Sequence, residues 1–232
     1  MPAWISSAST EAAARPKRTS EVNRWVASWL GRWQAKPVLF ALALLPFGWL
    51  LYGALADTLG ANPAEALIRS SGDWTLRFLC LTLAVTPLRQ ATGWHALARL
   101  RRMLGLFTFF YGVVHFLCFA WLDMGFELDL IVADIAKRPF ILVGTAALLT
   151  MLPLAATSFN RAIKVLGAAR WQALHRAVYA TALLALLHFF WMRAGKNDFG
   201  EWSIYAAVLG GLLGWRLWKR LRRPGRESRA TS

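Results

Sequence analysis

Three histidines, His115, His175 and His188, lie inside apolar stretches long enough to cross a lipid bilayer. A titratable ring in hydrocarbon is costly, so an intramembrane ionisable residue marks a functional site until shown otherwise. Imidazole is a common metal ligand, and two rings from neighbouring helices can clamp a flat cofactor through its iron. His175 and His188 are 13 residues apart. On an ideal helix that spacing is about 20 Å of rise and roughly 140° of rotation, so both serve one cofactor stack only where the helix is tightened, bent or tilted. The competing reading is that each ring bonds a backbone carbonyl or hydroxyl within a helical bundle. His95, beside Trp94, falls between apolar stretches and is not a candidate ligand.

The elements that must position these rings follow from composition. Of 232 residues 57% are hydrophobic, with 13 Trp, 14 Phe and only 12 Asp or Glu, the profile of a polytopic membrane protein. Six blocks supply roughly the 17–25 residues a membrane helix needs, over Pro37–Asp57, Asp73–Leu88, Leu104–Leu122, Pro139–Thr157, Trp171–Trp191 and Trp202–Trp218, the second being the shortest. The fold class is therefore an all-α integral membrane protein with a six-transmembrane-helix bundle. Lys and Arg alternate around the blocks, 19 in the odd-numbered flanking segments against five in the even-numbered ones, which places both termini in the cytoplasm. The net charge of +15 is thus topological. A soluble nucleic-acid binder would carry its apolar residues in periodic stripes rather than long blocks.

Three regions result: a basic cytoplasmic segment at 1–36, a transmembrane domain at 37–218 and a basic cytoplasmic tail at 219–232. Within the first, Val22, Trp25, Val26, Trp29 and Trp33 recur at helical spacing beside Arg24 and Arg32, as in a helix lying on the membrane surface. The first apolar block starts too late and runs too long for a cleaved signal peptide. The loop Asp123–Asp134, with Glu127 and Asp129, faces the outer side, either as a solvated loop or against a basic partner. Cys80 and Cys118 lack metal or redox spacing and read as buried thiols. Gly210 and Gly214 fit a helix-packing contact. There is no glycine-rich phosphate loop, so any electron or hydride donor is a separate molecule.

By depth, His115 in the third span and His188 in the fifth lie towards the outer side and can face each other, while His175 lies at the inner end. Gly112, one turn before His115, leaves room for a ring. Tyr111 and Tyr179, four residues from His115 and His175, share their faces and either tune a cofactor by hydrogen bonding or fill the core. Arginine suits the anionic rim of a haem, so Arg101, Arg102 and Arg176 are inner candidates and Arg77 the outer one. Arg77 also fits a helical pair with Asp73, and Arg101 and Arg102 also fit the positive-inside pattern.

Several long strings carry a resemblance: TLAVTPLR at Thr82–Arg89, RRMLGLFTFFYGVVH at Arg101–His115, KRPFILVG at Lys137–Gly144, PLAATS at Pro153–Ser158, WQALHRAVY at Trp171–Tyr179 and LHFFW at Leu187–Trp191. In these the chain resembles the MsrQ (YedZ) family, the haem-binding membrane subunits of bacterial protein-methionine-sulfoxide reductase systems. It is similar more widely to ferric reductases and NADPH oxidases, whose six-helix cores hold two haems through paired histidines on the third and fifth spans. The resemblance implies one or two b-type haems, with His115 and His188 on the outer one and His175 on an inner one. The fourth position holds Arg101, a propionate partner or, less readily, an iron ligand. It further implies FMN at an unlocated site, electrons from the quinone pool or a flavin reductase, and delivery across the bacterial inner membrane to a periplasmic molybdopterin-containing methionine-sulfoxide reductase. The chain would then be an electron-transfer subunit rather than the catalytic one. A ferric reductase-like protein acting directly on a small oxidant or metal chelate, and a haem-free transporter or assembly factor, are the alternatives.

Overall fold

The structure is a computed structural model that describes residues 21–195 and 197–222. Residues 1–20 of the basic N-terminal segment and 223–232 of the tail lie outside the described residues. Ten α-helices and no strand make up the described chain: α1 (Glu21–Gly31), α2 (Ala35–Leu55), α3 (Pro63–Thr92), α4 (Arg101–Cys118), α5 (Leu128–Lys137), α6 (Pro139–Ala156), α7 (Asn160–Leu166), α8 (Ala168–His175), α9 (Val178–Ala194) and α10 (Gly200–Leu221). A 3₁₀ turn, His95–Arg99, leads into α4, and a π-helical turn, Phe119–Asp123, extends it. His95 is exposed in that 3₁₀ turn.

Four segments are long and apolar enough to cross a membrane: Ala35–Leu55, Arg101–Asp123, Pro139–Ala156 and Ala168–Ala194. Their large apolar side chains point outward rather than into a core; on α2 alone Phe40, Leu45, Trp49 and Leu55 are exposed. An apolar surface on that scale is stable against lipid, not water. Helices α3 and α10, of 30 and 22 residues, are long enough but more polar. The apolar block expected over Asp73–Leu88 covers only the C-terminal part of α3. The helix starts ten residues earlier, because Asn62 accepts the Glu65 N–H at 3.1 Å and Pro63 occupies the first helical position.

The expected fifth span is not one continuous helix. Between α8 and α9 the bonds shorten to three-residue steps, Arg176 N–H to Ala173, Ala177 N–H to Leu174 and Tyr179 N–H to Arg176. This is the local tightening that the 13-residue spacing of His175 and His188 asked about. The surface helix expected over Val22–Trp33 ends at Gly31, so Trp33 lies beyond it, 81% exposed. A Cβ at Gly210 or Gly214 would meet no atom within 4 Å among the described residues, so the packing contact expected there has no partner among them.

The most extensive packing joins α3 to α4 and α6 to α9, with α4 against α6 between the two pairs. Prolines open the helices where side chains from other helices enter. In α2, after Pro46 interrupts the ladder, the Tyr111 hydroxyl donates to Ala43 O at 2.8 Å and accepts the Phe47 N–H at 3.1 Å. The hydroxyl therefore stands inside the bond that would join these two residues. In α3, Pro87 has no N–H to give Leu83 O, and Arg216 of α10 donates to that carbonyl at 2.6 Å instead. Around Tyr111, Phe78 stacks at 5.2 Å and Ala43 and Phe107 complete a buried cluster.

Candidate cofactor site

Two cavities lie along the bundle. The one towards the side that the charge pattern makes outer, called the outer cavity, has a volume of about 220 Å³, is bounded by α3, α4, α6 and α9 and contains His115 and His188. Each ring is oriented by the same device. His115 Nδ1 is 2.8 Å from Ile68 O of α3, and His188 Nδ1 is 2.6 Å from Phe140 O of α6. Since a carbonyl only accepts, Nδ1 carries the proton in both rings, and Nε2 is left as the lone-pair nitrogen.

Four residues after each acceptor stands a glycine against the ring. A Cβ on Gly72 would lie 3.1 Å from His115 Cε1, and one on Gly144 would lie 2.7 Å from His188 Nδ1. At Gly144 a side chain would force the ring or the helix to shift, and at Gly72 it would press on the ring by a few tenths of an ångström, so glycine lets each carbonyl reach its imidazole. The two helix pairs therefore present their histidines alike, and the ring centroids are 6.1 Å apart at 78° between planes. A metal bonded to one nitrogen of each ring at roughly 2 Å holds the centroids about 6 Å apart, so the pair is spaced for two axial ligands of one ion. Among the described residues no cluster of three or more His, Cys, Asp or Glu converges. An ion held by these two rings would take further ligands from outside this set of side chains, and haem, whose porphyrin supplies four nitrogens, fits that requirement.

Gly112 lines the outer cavity, but the space its Cβ would take is held by Met151 at 3.1 Å and Leu148 at 3.4 Å, so it sets the α4–α6 approach. Tyr111 is fully buried and bonded to α2 rather than to His115. Arg77 lies over the Trp74 ring at 4.6 Å and is not among the residues lining the outer cavity. The arginines that do line it are Arg69, Arg138 and Arg193. Each has a carboxylate partner: Glu65 at 2.6 Å, Asp134 at 2.8 Å, and for Arg193 both Asp198 at 3.2 Å and Glu201. Arg193 is the buried one, 9% exposed, and pins the start of α10 to the end of α9.

The inner cavity, of about 550 Å³, contains His175, Arg101, Arg102, Arg176 and Tyr179. His175 is held differently from the outer pair. It stacks on Trp171 at 3.9 Å, and its Nε2 is 3.1 Å from Thr157 Oγ1. Opposite, Arg101 donates to Thr86 Oγ1 at 2.8 Å, and Arg102 to Asn160 Oδ1 at 2.8 Å. Tyr179 accepts from Arg216 at 3.0 Å. The tertiary structure thus gathers His115 with His188 in one cavity and His175 with the three inner arginines in another, and leaves Arg77 outside both. Sequence reasoning missed Gly72, Gly144, Arg193 and Arg216. The one signal for Gly144 was a glycine among bulky residues in the string KRPFILVG.

With this geometry, comparison with known proteins becomes informative. Residues 71–186, which hold His115, His175, Gly72, Phe140 and Gly144 and end two residues before His188, match the family described as ferric reductase like transmembrane component. A membrane-embedded redox scaffold is the class that this defines. A protein-methionine-sulfoxide reductase heme-binding subunit MsrQ from Polaromonas naphthalenivorans is 62% identical over 197 residues, covering 84% of this chain and 90% of the relative. Its namesake from Ralstonia nicotianae is 56% identical over 180 residues, 78% of this chain and 83% of the relative. One from Xanthomonas campestris pv. campestris is 46% identical over 193 residues, 81% and 87%. The chain belongs to the MsrQ family. No solved structure matches it.

Proposed function

We propose that this chain is the b-type cytochrome subunit of a methionine-sulfoxide reductase system in the bacterial inner membrane. It takes electrons on the cytoplasmic side, from the quinone pool or a flavin reductase, and passes them to a periplasmic molybdopterin-containing catalytic subunit. The observation that carries the reading is the His115–His188 pair, two rings 6.1 Å apart with each Nδ1 tied to a backbone carbonyl. Those bonds fix ring orientation and make each Nε2 a better donor to a metal. Haem, when bound there, would supply reversible one-electron chemistry at the iron.

What the chain itself contributes is depth, orientation and exclusion of water. A hydrocarbon layer of about 30 Å separates the two aqueous faces, and the cavities sit at different levels within it. The uncharged stretches Phe78–Leu88 of α3 and Trp202–Trp215 of α10 support counting these two helices as spans, six in all, with both termini in the cytoplasm. No residue is required as acid, base or nucleophile, in keeping with an electron-transfer subunit. The inner cavity, with His175 at its wall, is the place for a second haem, and its basic rim suits the FMN that the family resemblance implies.

The test is optical and stoichiometric. The purified protein should show a b-type spectrum, and His115→Ala or His188→Ala should each remove the outer haem while His175→Ala spares it. A haem-free protein after expression with adequate haem, or an unshifted full spectrum in either outer variant, refutes the assignment. Methionine-sulfoxide reduction should require the periplasmic partner; activity of this chain alone would favour direct reduction of a small oxidant.

A further inference from the structure

The inner cavity carries a charge imbalance that a positive-inside pattern does not explain. Six cations line it, Arg101, Arg102, Arg176, Arg216, Lys219 and Arg220, and none of its described lining residues is acidic. The arginines lining the outer cavity all have carboxylate partners, whereas among the described residues the inner cations bond only neutral oxygens. Arg101 meets Thr86, Arg102 meets Asn160, Arg216 meets Tyr179 and Leu83, and Lys219 meets Gln90. Topology asks for basic residues on the cytoplasmic side, but not for their convergence on one hollow. Like charges converging beside a low-dielectric wall repel one another and create a potential that attracts anions.

Half of that charge comes from α10, and its central member is held in place before any ligand arrives. Arg216 donates Nη2 to the Leu83 carbonyl that Pro87 leaves free, and Nη1 to the Tyr179 hydroxyl, with its guanidinium 5.3 Å over the Tyr179 ring. Its Nε is buried and has no acceptor among the described residues. Such preorganisation lowers the ordering cost of binding. The rest of the lining combines large apolar side chains, among them Leu79, Met151 and Leu154 with Trp171 and Trp215, with uncharged polar ones such as Thr82, Ser158 and Gln172. A hollow with broad apolar and aromatic walls, neutral polar groups and a cationic rim matches a ligand with a largely flat, apolar body and acidic ends.

We propose that α10 supplies an oxyanion clamp, Arg216 with Lys219 and Arg220, that holds the acidic groups of an amphipathic ligand in the inner cavity. The shared chemistry is a carboxylate or phosphate oxyanion. It has two sources, the carboxylates of an inner haem and the phosphate of a monoester such as a flavin mononucleotide. Only the first rests on the cytochrome reading above.

The experiment uses the full-length protein in nanodiscs of neutral lipid. Binding of FMN and of riboflavin, which differ only by the phosphate, is measured by flavin fluorescence, and haem per chain and midpoint potentials are measured alongside. The variants are Lys219→Gln with Arg220→Gln together, Arg216→Gln, and Arg216→Lys as the conservative rescue. If phosphate is the source, FMN binds at least about tenfold tighter than riboflavin, and the variants lose that preference while Arg216→Lys retains part of it. If haem carboxylates are the source, the two flavins bind alike and the variants lose one haem per chain or make its reduction about tenfold less favourable, ~59 mV lower for one electron. Either result supports the clamp. Equal flavin binding together with wild-type haem content and potentials in the Lys219→Gln, Arg220→Gln protein overturns it. That double variant decides alone if Arg216→Gln fails to fold, because neither Lys219 nor Arg220 bonds a helix carbonyl in the structure. A wild-type protein without haem would refute the cytochrome reading instead, and the flavin comparison would still judge the clamp.

Discussion

Replacing Gly144 by alanine tests the histidine seat directly. The added Cβ would stand 2.7 Å from His188 Nδ1, 2.8 Å from Cε1 and 3.2 Å from Cγ. Ordinary carbon contacts fall near 3.5–4.0 Å, so the overlap is about 1 Å against a ring rather than a flexible chain end. The ring cannot simply swing aside, because Nδ1 is bonded to Phe140 O at 2.6 Å on the same helix. Relief means either parting α6 from α9 or giving up that bond. Overpacking of this kind costs ~1–3 kcal/mol and the hydrogen bond contributes ~0.5–1.5 kcal/mol. Charged to the bound state, about 2–4 kcal/mol lowers haem affinity roughly 30- to 700-fold. The assay is haem per chain by pyridine haemochrome and the reduced-minus-oxidised spectrum, with His188→Ala as the zero reference. Gly72→Ala, whose closest approach to His115 is 3.1 Å, should lose less, and Gly48→Ala, with no atom within 4 Å, should lose nothing. Full haem content with an unshifted spectrum in Gly144→Ala would refute the reasoning that glycine is there to seat the ring.

Tyr111→Phe removes the hydroxyl standing between Ala43 O and Phe47 N, and should destabilise the protein by about 1–3 kcal/mol while leaving the haem spectrum unchanged; a thermal midpoint equal to wild type would mean that the α2 ladder closes without it. Topology predicts that, with Cys80 and Cys118 replaced by alanine, Asp129→Cys reacts with an impermeant maleimide in cells with a permeabilised outer membrane, whereas Ala91→Cys reacts only after the inner membrane is opened. The reverse pattern would invert the direction assigned to electron flow.

Composition and charge alternation were enough to read a membrane bundle, because the bilayer imposes a minimum apolar length and a sign bias on the loops that need no partner to express themselves. The three histidines were legible for the same reason, being titratable groups where hydrocarbon tolerates few. Helix ends were less so. The polar N-terminal part of α3 escaped notice because its start is set by Asn62 and Pro63 rather than by hydropathy. Residue roles that depend on a second helix were legible only in part. Tyr111 shares a face with His115 yet bonds α2, and Arg77 neighbours the outer cavity in sequence yet stacks on Trp74.

The sequence by itself determined that this chain lives in a bilayer, which histidines fall within its apolar stretches and, through its long shared strings, which family it joins. Only the tertiary structure decided that His115 meets His188 across 6.1 Å, that Gly72 and Gly144 make the room, and that the basic end of α10 turns into the inner cavity. The physical reason is that helical periodicity assigns a residue to a face of its own helix. The rotation and axial register of one helix against another are set by packing between residues far apart in the chain.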